Sequence, residues 1–418
     1  MIHKTTRSIL SVLLAALLLV TSIPLTPAFA DGGAVSPQSE SGEGRALEQV
    51  NGEYQIYTAD DLKEFAAIVN GTDDTSADND ADARLMNDIV LNEKIEVDDN
   101  GAVTNQKELS EWIPIGSDSS RYSGTFNGDG HTISGLYIDS SDNDQGLFGY
   151  VSGTVQNLTV SGSVNGNNFV GGIAGQNGGR ITDCAFSGSV KGSGNNVGGV
   201  VGSNNNGSVE NCTNTGSVSG NISYNDSGHH VGGVVGYNSG SVENCHNIGS
   251  VSGNRDVGGV VGVNSSTVKN CYNTGSVTGR GIYVGGVVGN NDGSVTNCYN
   301  TGEVSGNYVG GVVGMNSSGD SSASASVTNC YNTGTVTGNR VGGVVGFNIS
   351  SVTNCYNTGS ITVTGSDGRV GGVVGLNSSS DVSGTVTDCY FLQQGELPGI
   401  GDGSGTAGAT AVKDLDEL

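Results

Sequence analysis

A glycine-valine hexad, V-G-G-[VI]-[VA]-G, constrains this chain more than any other feature. It starts at Val170, Val197, Val231, Val257, Val284, Val309, Val341 and Val370, at intervals of 25 to 34 residues. One cysteine follows each copy: Cys184, Cys212, Cys245, Cys271, Cys298, Cys330, Cys355 and Cys389, which are all the cysteines in the chain. A period of this size marks stacked units, each too small to bury a core alone and each completed by its neighbours.

Within the copy Val257–Gly279, apolar runs at Val257–Val263, Thr267–Tyr272 and Gly275–Val277 are separated by Gly, Asn and Ser. Short Val-rich runs bounded by turn residues read as strands. Three strands and three corners make one rung of a parallel β-helix, with about 26 residues per rung. The next copy stacks on it about 4.8 Å along the axis. The expected fold is therefore all-β, a parallel β-helix or β-solenoid, taken as right-handed from the commoner class. The 72 glycines permit tight corners and positive φ at an entropic cost.

The flanking segments differ in composition. Residues 1–30 read as a secretory signal peptide: Lys4 and Arg7, an apolar core at Ile9–Val20, and Ala28-Phe29-Ala30 as a cleavage site. The apolar run is short for a membrane span. Removing this leader takes the net charge from −25 to −27, which argues against binding nucleic acid or an anionic membrane surface. Residues 31–50 read as a disordered linker. Residues 51–125 form an N-terminal cap with a strand at Tyr54–Tyr57 and a short helix. Thr58 begins the helix with Asp61 three residues on, and Leu62, Phe65, Ala66 and Val69 share its apolar face as far as Asn70-Gly71. Such a helix would cover the open end of the coil. The acidic loop that follows carries Asp73, Asp74, Asp78, Asp80 and Asp82, residue types that suit Ca²⁺. It lacks EF-hand spacing, so a solvated loop is expected and no cofactor is assigned. Residues 126–392 form the repeats, and 393–418 a C-terminal tail or cap in which Thr410–Leu418 reads as one or two helical turns.

Comparing the copies separates inside from outside. The cysteine and the first Val of the hexad never vary. The residue after cysteine runs Ala185, Thr213, His246, Tyr272, Tyr299, Tyr331, Tyr356 and Tyr390, the variability of an outward position. The residue before it is always Asn or Asp, from Asp183 to Asp388. Both types tolerate the left-handed region, so this column suits a corner, and stacked amides there suit a ladder. Eight cysteines in a secreted chain would ordinarily suggest disulfides. Equivalent residues on successive rungs, however, sit about 4.8 Å apart with parallel Cβ vectors, against about 3.5–4.5 Å for a relaxed bridge. A buried column of free thiols is the favoured reading. No C-x-x-C spacing supports a zinc site, and no metal ligand is assigned.

Gly146-Leu147-Phe148-Gly149 resembles the GLUG motif, and each Gly-Val-Val-Gly, such as Gly259–Gly262, is a looser copy. Tyr54-Gln55-Ile56, Asn87-Asp88-Ile89, Trp112–Gly116 and Phe126-Asn127-Gly128 resemble the segment that leads into such repeats. The resemblance covers about residues 52–392. It implies a bacterial secreted or surface protein, with adhesin-like or unassigned roles. Related repeats also occur in immunoglobulin A-cleaving metallopeptidases, outside their catalytic part. This chain has no H-E-x-x-H, so that activity is not carried over.

The strongest functional signal in the residues themselves is the column Tyr272, Tyr299, Tyr331, Tyr356 and Tyr390, headed by His246. Outward rings at rung spacing would make an aromatic strip suited to sugar faces. The alternative is a self-stacked ladder that stabilises the sheet. A second column, Phe169, His230, Tyr283, Tyr308, Arg340 and Arg369, precedes the hexads, with Asp256 as the isolated acid near it. Enlarged corners at Asn221–His230, Ser317–Ser326, Gly365–Arg369 and Ser378–Thr385 read either as binding edges or as tolerated drift.

The function expected is a non-catalytic, secreted or cell-surface, adhesin-like binding module, presenting an extended acidic face to glycan or host protein. It is expected to be a monomer without a membrane span after leader removal. The alternatives are a polysaccharide-active enzyme of lyase or epimerase type, and a structural spacer within a larger surface protein.

Overall fold

The computed structural model describes residues 47–72, 76–98, 102–221, 230–318, 325–365, 369–378, 383–402, 408–414 and 416. The chain divides into Met1–Ala46 and Leu47–Leu418, and the first unit, with the expected leader and most of the linker, lies outside the described residues.

Leu47–Leu418 is a parallel β-helix. Val231, Val257, Val284 and Val309 are Cα partners in turn. So are Tyr272, Tyr299, Tyr331, Tyr356 and Tyr390. Within the hexad copies, stacked partners lie as few as 25 and as many as 34 residues apart in sequence, so copies of unequal length keep one register; most residues of the enlarged corners lie outside the described residues. One face of the coil is a ten-stranded parallel sheet running from Phe148–Val151 to Ile400–Asp402.

Each rung is more finely divided than the apolar runs suggest. The copy beginning at Val257 makes five short strands: Val257–Gly258, Val261–Asn264, Thr267–Lys269, Tyr272–Asn273 and Val277–Gly279. The hexad bends between Gly258 and Val261, so Val257, Val260 and Val261 all reach the core. The bend explains its glycines. A Cβ on Gly258 would strike the Val261 carbonyl, and one on Gly259 would strike the Gly286 carbonyl and the Asn273 side chain. The break before cysteine comes from Asn270, whose φ of 54° is left-handed. Every equivalent Asx from Asp183 to Asp388 has φ between 49° and 55°, as a corner column requires.

The expected helix is α1, Ala59–Asn70. Thr58 accepts from the Asp61 amide, the Asp61 carboxylate accepts from the Thr58 amide, and Gly71 closes the helix in the left-handed region. Leu62, Phe65, Ala66 and Val69 are buried in the same core as the repeats. Phe65 meets Tyr54, Tyr122 and Phe126 at centroid distances of 5.8, 6.1 and 5.9 Å. Buried Trp112 donates from Nε1 to the Leu147 carbonyl at 3.0 Å.

The C-terminal segment departs from expectation. Ala409–Val412 is a strand, not a helix, and pairs in parallel with Cys389–Leu392. The open edge of Cys389–Leu392 offers backbone partners that a helix could not use, and this overrides a weak local helical preference.

Candidate functional site

The tyrosine column lies between two buried ones. Cys271, before Tyr272, and Asn273, after it, are both fully buried, so the ring between them projects from the coil and is half-exposed. Centroids of Tyr272, Tyr299, Tyr331 and Tyr356 follow one another at 4.9 Å with planes within 7° of parallel, and His246 stacks on Tyr272 at 4.5 Å. Inside this stack each ring face is covered by its neighbours, so the edges and hydroxyls meet solvent. Tyr390, the last of the five, is 37% exposed. Partial burial, then the neighbouring Tyr331 and Tyr272 phenols, push the Tyr299 hydroxyl up to about 12. The Tyr299 hydroxyl is thus protonated at neutral pH.

The thiols form a column as well. All eight cysteines are free and buried. Cys271 donates from Sγ to the Lys269 carbonyl at 3.1 Å, and its amide donates to the Sγ of Cys298 at 3.4 Å. Burial pushes the Cys245 and Cys298 thiols well above their ordinary range. The exposed Asx column forms the expected amide ladder, for example Asn297 Nδ2 to Asn270 Oδ1 at 3.2 Å.

Two further amide ladders, unforeseen in the sequence, run through the interior. One passes from Asn177 through Asn204, Asn238, Asn264, Asn291, Asn316 and Asn348 to Asn377, each step 2.7–2.8 Å. The other passes from Asn214 through Asn247, Asn273, Asn300 and Asn332 to Asn357 at 2.8 Å per step. All are fully buried. The available signal was repetition: the first position is Asn in all eight copies, and the second is Asn in the six between Phe186 and Phe391.

The column before the hexads holds a strongly perturbed acid. Asp256, with φ of 51°, is only 3% exposed. Its Oδ2 meets Arg255 Nε at 3.3 Å and lies 3.8 Å from His230 Nε2, while Oδ1 has no hydrogen-bond partner. Burial pushes its carboxyl up to about 7, opposed by the Arg255 guanidinium and reinforced by Asp292. Arg255 lies 5.7 Å from the Tyr283 ring centroid, and Arg340 lies 4.3 Å over Tyr308. Arg340 and Arg369 stand in this column, whereas Arg255 stands one residue before it, with Asp256 in the column position. Arg369 pairs with Asp402 at 3.1 Å.

In the acidic loop, Asp73 and Asp74 lie outside the described residues. The Asp78 carboxyl is pushed up by burial and by neighbouring Asp80. Among the described residues no three of His, Cys, Asp and Glu gather as a metal site would need. Nor is any helix among them long and apolar enough to cross a membrane.

A family model, the GLUG motif, matches residues 166–191, 193–219, 227–252, 253–278, 280–305 and 338–364. The Gly146–Gly149 segment lies outside these matches. A stretch of 76 residues is 46% identical to halomucin of Haloquadratum walsbyi, spanning 17% of this chain and 1% of that protein. The crystal structure of a protein assigned as an immunoglobulin A1 protease from Bacteroides ovatus aligns over 87% of this chain and 85% of its own, at 18% identity and a TM-score of 0.36. Likeness at that level carries no argument about activity. Six matched copies of the GLUG motif thus lie between residues 166 and 364, within the coil of Leu47–Leu418.

Proposed function

We propose that the protein is a secreted or cell-surface, adhesin-like binding module without catalytic activity, which recognises glycan or host protein through the side of its coil. The observation that carries this reading is the stacked column from His246 to Tyr356: a straight, half-exposed row of ring edges and hydroxyls held at 4.5–4.9 Å intervals. A rigid row loses little entropy on binding, which favours affinity. The GLUG repeats and the partial similarity to halomucin fit a repeat region of an extracellular or surface protein. A glycan array and a host-protein overlay test the proposal. Binding weakened by Tyr299→Ala and Tyr331→Ala supports it, and the absence of any binding partner on both surfaces overturns it.

Action on polysaccharide is a second reading, favoured by one observation. Asp256 combines a carboxyl near neutral pKa with an adjacent Arg and His, the kind of group that exchanges protons at neutral pH. Release of unsaturated uronates from uronic-acid polymers, abolished by Asp256→Asn, would establish it.

A further inference from the structure

We infer that a walled groove near the N-terminal end of the coil binds a linear oligosaccharide, with the Lys191 ammonium as its charged donor. This names a ligand and a place for the binding module proposed above and rests on that reading.

The groove has a volume of about 390 Å³, within the range of small-ligand sites. Its floor is the outward side of a parallel face. One column of the floor is Tyr137, Ser163, Ser189 and Ser217, and a second is Asp139, Asn165, Lys191 and Ser219, each in register from rung to rung. Between the columns Val164, Val190 and Val218 turn inward to the core. Ala102, Val103 and Gln106 supply a wall along one side. Where the wall ends, the second column continues through Ser252, Thr278 and Ser305.

The chemistry of this stretch fits a sugar. Ser163, Ser189, Ser219 and Ser252 line it, and their hydroxyls are not committed to another group among the described residues. Each offers one donor and two acceptor lone pairs, the same inventory that a sugar hydroxyl presents. Asn165 donates from Nδ2 to Asp139 Oδ1 at 2.6 Å, and the Tyr137 hydroxyl also interacts with that carboxylate. Lys191 pairs with no carboxylate among the described residues. Asp139 and Lys191 are the charged residues of the lining, so the groove is locally neutral on a chain of net charge −25. Ala102 and Val103 add apolar surface for the carbon face of a pyranose. The rung step of about 4.8 Å is close to the length of one sugar ring, so successive rings can repeat the same contacts. A peptide adding as a strand needs unpaired backbone. Here the floor strands already pair on both sides, and only side chains face the groove.

The test is calorimetric titration of the full chain with a short oligogalacturonate and with a neutral oligosaccharide of equal length. The two arms separate recognition of an acid group by Lys191 from recognition of hydroxyls alone. Ser189→Trp, which fills the groove from an outward position, should abolish binding. Lys191→Gln should weaken uronate binding about tenfold or more, since one charge-assisted hydrogen bond is lost. Both variants are checked for an unchanged unfolding transition. Binding that survives both substitutions overturns the groove. Sugar binding lost only with Tyr331→Ala, or binding of protein but no sugar, also overturns it while leaving the binding-module reading in place.

Discussion

Asn300 donates from Nδ2 to the Oδ1 of Asn332 at 2.8 Å, with both side chains sealed from solvent. The same Nδ2 also reaches the Gly302 carbonyl at 2.8 Å, and its Oδ1 accepts from the Gly302 amide at 3.2 Å and from Asn273 at 2.8 Å. The group is fully satisfied, which is what makes a polar column tolerable in an otherwise apolar interior. Removing it takes one hydrogen bond from Asn332 and one from Asn273 and leaves the Gly302 amide without its side-chain acceptor. Asn300→Ala should therefore cost on the order of 3 kcal/mol or more. Denaturant unfolding checks this. Asn297→Ala, in the exposed ladder one corner away, should cost about 1–2 kcal/mol, because water replaces the lost partners and what remains is the backbone strain of alanine at a φ of 55°.

The hexad glycines make a steric prediction. An alanine Cβ at Gly286 would fall on the Gly311 carbonyl and the Asn300 side chain, neither of which can withdraw. Gly286→Ala should cost about 3 kcal/mol or more. Gly130, with φ of 84° and open space around its missing Cβ, provides the contrast. Gly130→Ala should cost only about 1 kcal/mol of backbone strain. Paired thermal melts distinguish the two.

Asp256 predicts an unusual pH dependence. Its folded pKa of about 7 stands well above the ordinary carboxyl value of 3.8. Below pH ~4 both folded and unfolded chains hold the proton, and the site costs nothing. Between pH ~4 and ~7 only the folded chain holds it, so this contribution to stability falls as pH rises, by an amount on the order of 4 kcal/mol by pH ~7. Arg255, His230 and Asp292 are the charged or titratable groups that act on it. Asp256→Asn should unfold at a higher temperature than the parent at pH 8 and at the same temperature near pH 4. A gap independent of pH would show that the buried charge is not its cause.

The thiol column predicts silence. Eight buried free cysteines should not react with a thiol reagent in the folded chain, and all should react in guanidinium. A reducing agent should leave the melting temperature unchanged.

Repetition made much of this molecule readable. The register, the left-handed Asx corner, the free thiols and the Thr58 cap each follow from residue type at a fixed interval. The interior amides were missed because Asn is ordinarily a turn or surface residue. Only stacking supplies the partners that let Asn300 be buried, and a single copy does not contain them. The five-strand rung was missed for a related reason: the bend at Gly258–Val261 depends on atoms of the neighbouring coil. Asp256 read as an isolated acid, and its contacts with His230 and Asp292 come from rungs on either side. The groove beside Lys191 needs the wall of Ala102, Val103 and Gln106, distant in sequence. The tyrosine column was legible as a column, and the self-stacked ladder that forms was one of its two readings; choosing between them needs side-chain planes that spacing does not set.

The second amide ladder is stoppered at both ends by phenylalanine. Phe186 is the Cα partner of Asn214, and Phe391 that of Asn357. Both rings are buried against the hexad glycines Gly172 and Gly372. Genetic duplication or loss of a whole copy between those stoppers would leave each terminus as it is, because every intervening coil is interchangeable at this position. Evolution can therefore lengthen or shorten the rod in single steps of about 4.8 Å, tuning its reach without redesigning where it starts or stops.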